Sequence, residues 1–174
     1  MIDFLMISTR SKKNGLIEIY PKFIIKKSSD LMIRGGDFYA IWIEERGLWS
    51  TDEQDALQLI DRELDRYAEE NRNRFDSNVK VLHMWDSESG MIDSWHKYCQ
   101  KQMRDSFHML DEKLIFSNTP TNKKDYASKR LGYPLEAGET PAYDKLMSTL
   151  YEEEERRKIE WAIGSIISGE SNKL

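Results

Sequence analysis

Cysteine is nearly absent from this chain. The single Cys99 excludes an internal disulfide and fits a reducing, cytosolic setting. One Cys and three scattered His (His83, His96 and His108) are too few soft ligands for a structural zinc site. No apolar run approaches the roughly 20 residues needed to cross a bilayer. The short run Phe4-Leu5-Met6-Ile7 has no basic residues before it, so it does not read as a signal peptide. No G-x-x-x-x-G-K-[ST] loop occurs, and Gly35-Gly36 lacks the Lys and helix that would make a phosphate cradle. Asp61, Glu63 and Asp65 are acidic but follow a helical packing pattern, not the strand spacing of a polymerase or primase metal site. His96 and Asp93 stand close in sequence with no supported nucleophile beside them. These absences leave no catalytic residues, no metal ligands and no cofactor site to assign, and they argue against autonomous catalysis.

What is present is a chain of 174 residues, enough for one sizeable core or two small ones. Five Trp, eight Tyr and six Phe argue against wholesale disorder. The net charge of −5 does not by itself mark a nucleic-acid binder, but its distribution is uneven. Residues 10–34 hold seven basic against two acidic residues, or +5; residues 52–76 hold four against nine, or −5. Residues 97–130 are +4 and residues 136–160 are −4. Such blocks either build one basic and one acidic face or are ordinary solvated surface.

Residues 1–15 read as a poorly ordered arm ending in the turn signal Lys12-Lys13-Asn14-Gly15. Residues 16–27 are β-rich, and Pro21, which cannot donate to a ladder, predicts an edge strand or a break. Residues 31–34 form a short strand closed by Gly35-Gly36. Residues 37–44 form the clearest strand, with Phe38, Tyr39, Ile41, Trp42 and Ile43, and Glu45-Arg46-Gly47 turns the chain into Leu48-Trp49. These aromatics are either the packed face of a small sheet or a platform for stacking bases. Thr51-Asp52-Glu53-Gln54 is a capping box, and Leu57, Ile60, Leu64 and Tyr67 give the helix behind it one apolar face.

A short strand is predicted over 79–85 and a second helix from 91 to about 110. The apolar face of that helix is Ile92, Trp95, Cys99, Met103 and Phe107, flanked by Tyr98. Lys97, Lys101 and Arg104 share another side of it, either a stripe that tracks phosphates or solubilising charge. Residues 113–118 predict a further strand. Lys123, Lys124, Lys129 and Arg130 follow, interleaved with Tyr126 and Tyr133, as a single-strand contact or a flexible connector. Thr140-Pro141 starts a helix with Tyr143, Leu146, Met147 and Leu150 facing inward. The last helix opens with Glu152–Glu155 and Arg156-Arg157-Lys158, whose spacing favours internal ion pairs, and Gly169 suits its C-cap. Its apolar stripe, Ile159, Ala162, Ile163, Ile166 and Ile167, is core or interface. The expected fold is α+β, a small antiparallel sheet with a packed helix followed by a mainly helical C-terminal half. Its expected parts are a mixed sheet–helix subdomain over 1–78 and a mainly helical one over 79–174.

The last third carries a specific order of residues: Lys129, Arg130, Tyr133 and Pro134, then Thr140, Pro141, Ala142 and Tyr143, then Glu160, Trp161, Ala162, Gly164 and Gly169. This order resembles the region just before the motor in phage and plasmid (poxvirus-like) primase-helicases of helicase superfamily three. The likeness continues more weakly back to about Tyr20 and so covers most of the chain. The departure is that the ATP-binding module, which follows this region in the family, does not occur before Leu174.

The resemblance implies an accessory, DNA-binding and oligomerisation region that supports viral or plasmid DNA replication in the bacterial host cytoplasm, with no cofactor of its own. Its partners would be single-stranded or forked DNA, the ATP-driven helicase motor and other copies of itself, without a membrane. On charge, the DNA-binding residues it implies are Lys22, Lys26, Lys27, Arg34, Lys97, Lys101, Arg104, Lys123, Lys124, Lys129 and Arg130. The closing pair of helices would form part of a collar, with Ile159, Ile163, Ile166 and Ile167 at the oligomer interface. The alternative from a different class is a free-standing phage protein, without enzymatic activity, that binds and regulates or inhibits another protein.

Overall fold

A computed structural model describes residues 2–24, 27–75, 78–86, 89–102 and 107–168 of the chain. Lys26, Arg104, Ile25, Met103 and Gly169, each singled out in the sequence, lie outside these described residues. The chain forms an α+β fold in two compact units, residues 1–43 with 50–108 and residues 44–49 with 109–174. The strand and helix predicted beyond residue 79 therefore pack with the first unit, since their apolar residues complete its core.

The first unit begins where the sequence predicts a loose arm, and the structure corrects that expectation. β1 (Leu5–Ser11) pairs antiparallel with β2 (Ile17–Phe23), in register from Leu5↔Phe23 to Ser11↔Ile17. Lys12-Lys13-Asn14-Gly15 is the hairpin turn between them: Lys12 N–H donates to Leu16 O at 2.8 Å, and Gly15 takes a positive φ of 81°. Phe4 is fully buried and Leu5 nearly so. The arm reading fails because the apolar run of β1 finds its partner across the turn, not in its own local pattern.

β3 (Leu31–Arg34) and β4 (Asp37–Ile43) form a second antiparallel pair with a bulge between Met32 and Ile33. Gly35 and Gly36 both have positive φ, which is what a two-residue turn demands of its central positions. α1 (Glu53–Glu70) starts one residue later than the predicted capping box: Asp52, not Thr51, is the N-cap, accepting the Gln54 N–H at 2.9 Å. Its buried residues are Ala56, Leu57, Ile60 and Leu64. β6 (Val79–Val81), shorter than predicted, lies parallel to β2 on the edge away from β1. β5 (Leu48–Ser50) lies between β4 and α1 in the chain. α2 (Met91–Lys101) ends well before residue 110. Phe107 is therefore not on a helical face; its ring meets Tyr39 edge-on at 5.2 Å.

The core of this unit gathers Phe4, Ile19, Ile33, Ile41, Ile60, Leu64, Met84 and Trp95, all with at most 2% exposure. Trp95 lies 5.7 Å from the ring of Phe4 and 5.4 Å from that of Phe23. Phe38 and Trp42 pack inward, so the aromatics of β4 act as a sheet face and not as a stacking platform.

In the second unit residues 109–140 are irregular but tied down. The strand predicted over 113–118 does not form; two backbone bonds link the segment to residues 131–133, Leu131 N–H to Ile115 O at 2.7 Å and Ser117 N–H to Tyr133 O at 3.1 Å, and Leu114 N–H donates to Ile167 O at 3.3 Å. Ile115, Phe116 and Ala127 are buried. α3 (Pro141–Leu150) starts with Pro at its first position as predicted, although the Thr140 hydroxyl donates to Asp144 and makes no cap bond. Only Met147 of α3 is buried; Leu146 and Leu150 are 56% and 60% exposed, contrary to the inward face predicted for them. α4 (Glu153–Ser168) carries the predicted acid-before-base ion pairs, Lys158 to Glu154 at 2.8 Å and Arg157 to Glu153 at 3.8 Å, while Arg156 pairs in the opposite direction with Glu160 at 2.7 Å.

Candidate nucleic-acid interface

The candidate site lies in the first unit, along the part of β2 that β6 does not cover. β6 pairs only with residues 17–19 of β2, and Leu82 N–H closes the ladder on Ile19 O at 2.9 Å. Ile17 and Ile19 turn their backbone groups toward β6, so the two-residue period gives Pro21 the next such position. There its missing N–H loses no ladder bond, which explains how a proline sits within the middle strand of the sheet. Beyond it, α2 brings up Met91, Ser94, Lys97, Tyr98 and Lys101, whose spacing puts them on one helical face. Between Tyr20–Phe23 of β2 and this face is a cavity of about 330 Å³, also lined by Arg10 of β1.

The groove combines cations with apolar rings. Lys22, Lys97 and Lys101 are exposed, and none has an acidic partner among the described residues. Lys97 and Lys101 are four apart on one helix, a like-charge spacing that costs a few tenths of a kcal/mol unless an anion relieves it. Arg10 is partly neutralised by Glu18, to which its Nε donates, and its guanidinium sits 5.3 Å above the Tyr20 ring. Lys12 approaches the same carboxylate at 3.4 Å. The hydrogen bond from Arg10 and the two nearby positive charges hold Glu18 below the usual carboxylate range, outweighing its partial burial.

Pro21, Phe23, Met91 and the Tyr98 ring supply the apolar part of the wall. Tyr98 is 4% exposed, and its hydroxyl has no hydrogen-bond partner among the described residues. Burial raises its pKa above the ordinary phenol value, with Cys99 and Asp3 as lesser causes, so the hydroxyl stays a neutral donor.

Of the cations implied in the sequence, Lys22, Lys97 and Lys101 are thus brought together from segments far apart in the chain. Lys27 and Arg34 do not line the groove. Arg34 instead stands over the Phe107 ring at 4.8 Å and the Tyr39 ring at 6.0 Å. Arg10, Tyr20 and Tyr98 were not among the residues the sequence pointed to. Arg10 belongs to the basic block over 10–34, but only its position on β1 gives it a role.

The second unit carries its own basic loop. Lys123 and Lys124 sit in a 3-10 turn whose Asn122 and Asp125 form a reciprocal capping box. Trp49 donates its Nε1–H to Lys123 O at 3.0 Å and stacks on Tyr126 at 6.2 Å. Asp111 accepts the backbone N–H of Ser128 at 2.6 Å and of Lys129 at 3.2 Å. Arg130 donates to Thr121 Oγ1 at 2.6 Å, and that hydroxyl donates to Gly47 O at the same distance. The segment is a hydrogen-bonded loop, with Lys124 and Lys129 exposed on it.

On α4, Ile163 and Ile166 are 45% and 58% exposed, while Ile159 and Ile167 are half-buried. Among the described residues no group of three or more His, Cys, Asp or Glu is arranged to hold a metal. Cys99 is buried, its thiol pushed up to about 12 by burial and then by the charges of Glu53 and Asp37, so it is not a nucleophile near neutrality. His96 meets Glu53 at 3.2 Å and not Asp93, and His83 meets Asp65 at 2.7 Å. No described helix is long and apolar enough to cross a membrane. Comparison of the chain with family models, with curated proteins and with solved structures finds no match.

Proposed function

We propose that this chain is a nucleic-acid-binding accessory module, and that it serves as the region ahead of the motor in a phage-type replicative primase-helicase. In that role it grips single-stranded or forked DNA in the bacterial host cytoplasm and leaves ATP hydrolysis to the motor that it accompanies. The placement beside a motor follows the order of residues from Lys129 to Gly169. The observation that carries DNA binding is the groove of β2 and α2, in which three lysines with no acidic partner among the described residues, together with Arg10, meet aromatic and apolar walls. Binding of a single-stranded oligonucleotide to the full chain tests it. The affinity should fall steeply as salt rises; no binding at low salt would remove the role.

A second reading, a protein-binding regulator without enzymatic activity, draws on a different observation. Leu146, Leu150, Trp161, Ile163 and Ile166 leave α3 and α4 with exposed apolar side chains. Co-sedimentation with a superfamily-three helicase motor, by a chain that binds no single-stranded oligonucleotide at low salt, is the result that would favour it.

A further inference from the structure

We infer that the groove takes up one unstacked base of a single strand along with its phosphates. This rests on the nucleic-acid reading above and narrows it to a class of ligand. A site for phosphate alone would be lined by donors. Here Pro21, Phe23 and the Tyr98 ring make a wall that offers a phosphate nothing and a base a surface to lie against.

The dimensions are those of one small ligand. A cavity of about 330 Å³ lies near the lower end of the range for small-molecule sites, roughly 300–1,000 Å³. Cations stand on both sides of it, Lys22 on the strand and Lys97 and Lys101 on the helix, where the phosphates flanking an inserted base can be met. The Tyr98 hydroxyl has no accessible surface, so it is the edge of the ring and not the oxygen that borders the cavity. The strand edge itself is closed to an added peptide strand, because Pro21 has no N–H to offer there. A base paired within a duplex is not free to enter, so the groove selects single strands.

The test compares a ten-residue oligothymidylate with a fully abasic strand of the same length and charge, by fluorescence anisotropy on the full chain at fixed low salt. The abasic strand should bind about tenfold more weakly. Two strands bound within twofold of each other would overturn base uptake. Decaglutamate bound as tightly as oligothymidylate would also overturn it. Lys97→Glu with Lys101→Glu separates the two levels. If these changes weaken both strands, the groove still binds phosphates even where base uptake fails. If they weaken neither, the nucleic-acid reading fails and base uptake with it.

Discussion

Trp95, buried at the centre of the first unit, donates its indole Nε1–H to Glu53 Oε1 at 2.7 Å and so joins α2 to the first turn of α1. The same carboxylate receives His96 at 3.2 Å. Glu53→Ala would leave a buried N–H without a partner and remove an acid from the positive end of α1. It should cost about 2 kcal/mol. Glu53→Gln keeps the acceptor and should cost less than half of that. Urea denaturation checks both, read as a shift of midpoint at constant slope.

Asp61 accepts the Met84 N–H at 2.7 Å, and its burial raises its pKa above the ordinary aspartate value of 3.8 despite that bond. The folded protein therefore favours the protonated form. The stability this contributes is fully present below the ordinary value and is lost as pH rises through the folded one. Asp61→Asn retains an acceptor and does not titrate. The variant should gain on the wild type as pH rises above 3.8, measured by denaturant midpoints across pH.

Glu18 has the opposite sign. Its lowered pKa contributes stability above the ordinary glutamate value of 4.5, which is lost as pH falls through the folded value. Glu18→Gln abolishes that part of the acid sensitivity. It also frees the Arg10 charge at the groove, so its affinity for a single-stranded oligonucleotide should rise a few-fold, most at low salt. Affinity unchanged at 20 mM salt would separate Arg10 from the ligand.

Gly36 takes φ of 87° in the turn between β3 and β4, and a Cβ there would stand 3.7 Å from the Gln100 Cα, an ordinary contact. The penalty of Gly36→Ala is thus backbone strain and not a clash, about 1–2 kcal/mol. Thermal melts of this variant and of Gly132→Ala, where φ is not positive, should differ by that amount.

The exposed apolar side chains of α4 bear on the proposed collar. Ile163→Glu with Ile166→Glu should abolish any concentration-dependent association seen by sedimentation, and leave the melting temperature of the monomer within a degree or two, because both side chains already face water.

The elements written in local patterns were legible from the sequence. β4, α1, α3 and α4 follow from β-branched and aromatic runs or from helical spacing with capping signals, all of which act within a few residues. β1 was not legible, because its seven residues become a strand only when β2 folds back across Gly15. The strand expected over 113–118 did not form, because Ile115 and Phe116 are buried by an irregular loop with only two backbone bonds to residues 131–133. The lysines of the groove were legible as charges, but nothing in their spacing links Lys22 to Lys97. That link needs β6 to stop at Val81 and α2 to cross the uncovered part of β2. Tyr98 reads in sequence as a flank of the apolar face. Only the packing of α2 against β2 brings its ring to the groove.

The most direct measurement is the salt dependence of single-stranded oligonucleotide binding by the wild type and by Lys97→Glu with Lys101→Glu. Each phosphate contact on a single strand contributes a slope of about −0.7 in log affinity against log salt. Loss of the Lys97 and Lys101 contacts should reduce the slope by about 1.4 and weaken binding at least tenfold at low salt. Equal affinity and equal slope for the two proteins would contradict a groove built from β2 and α2 as the place where this chain holds nucleic acid.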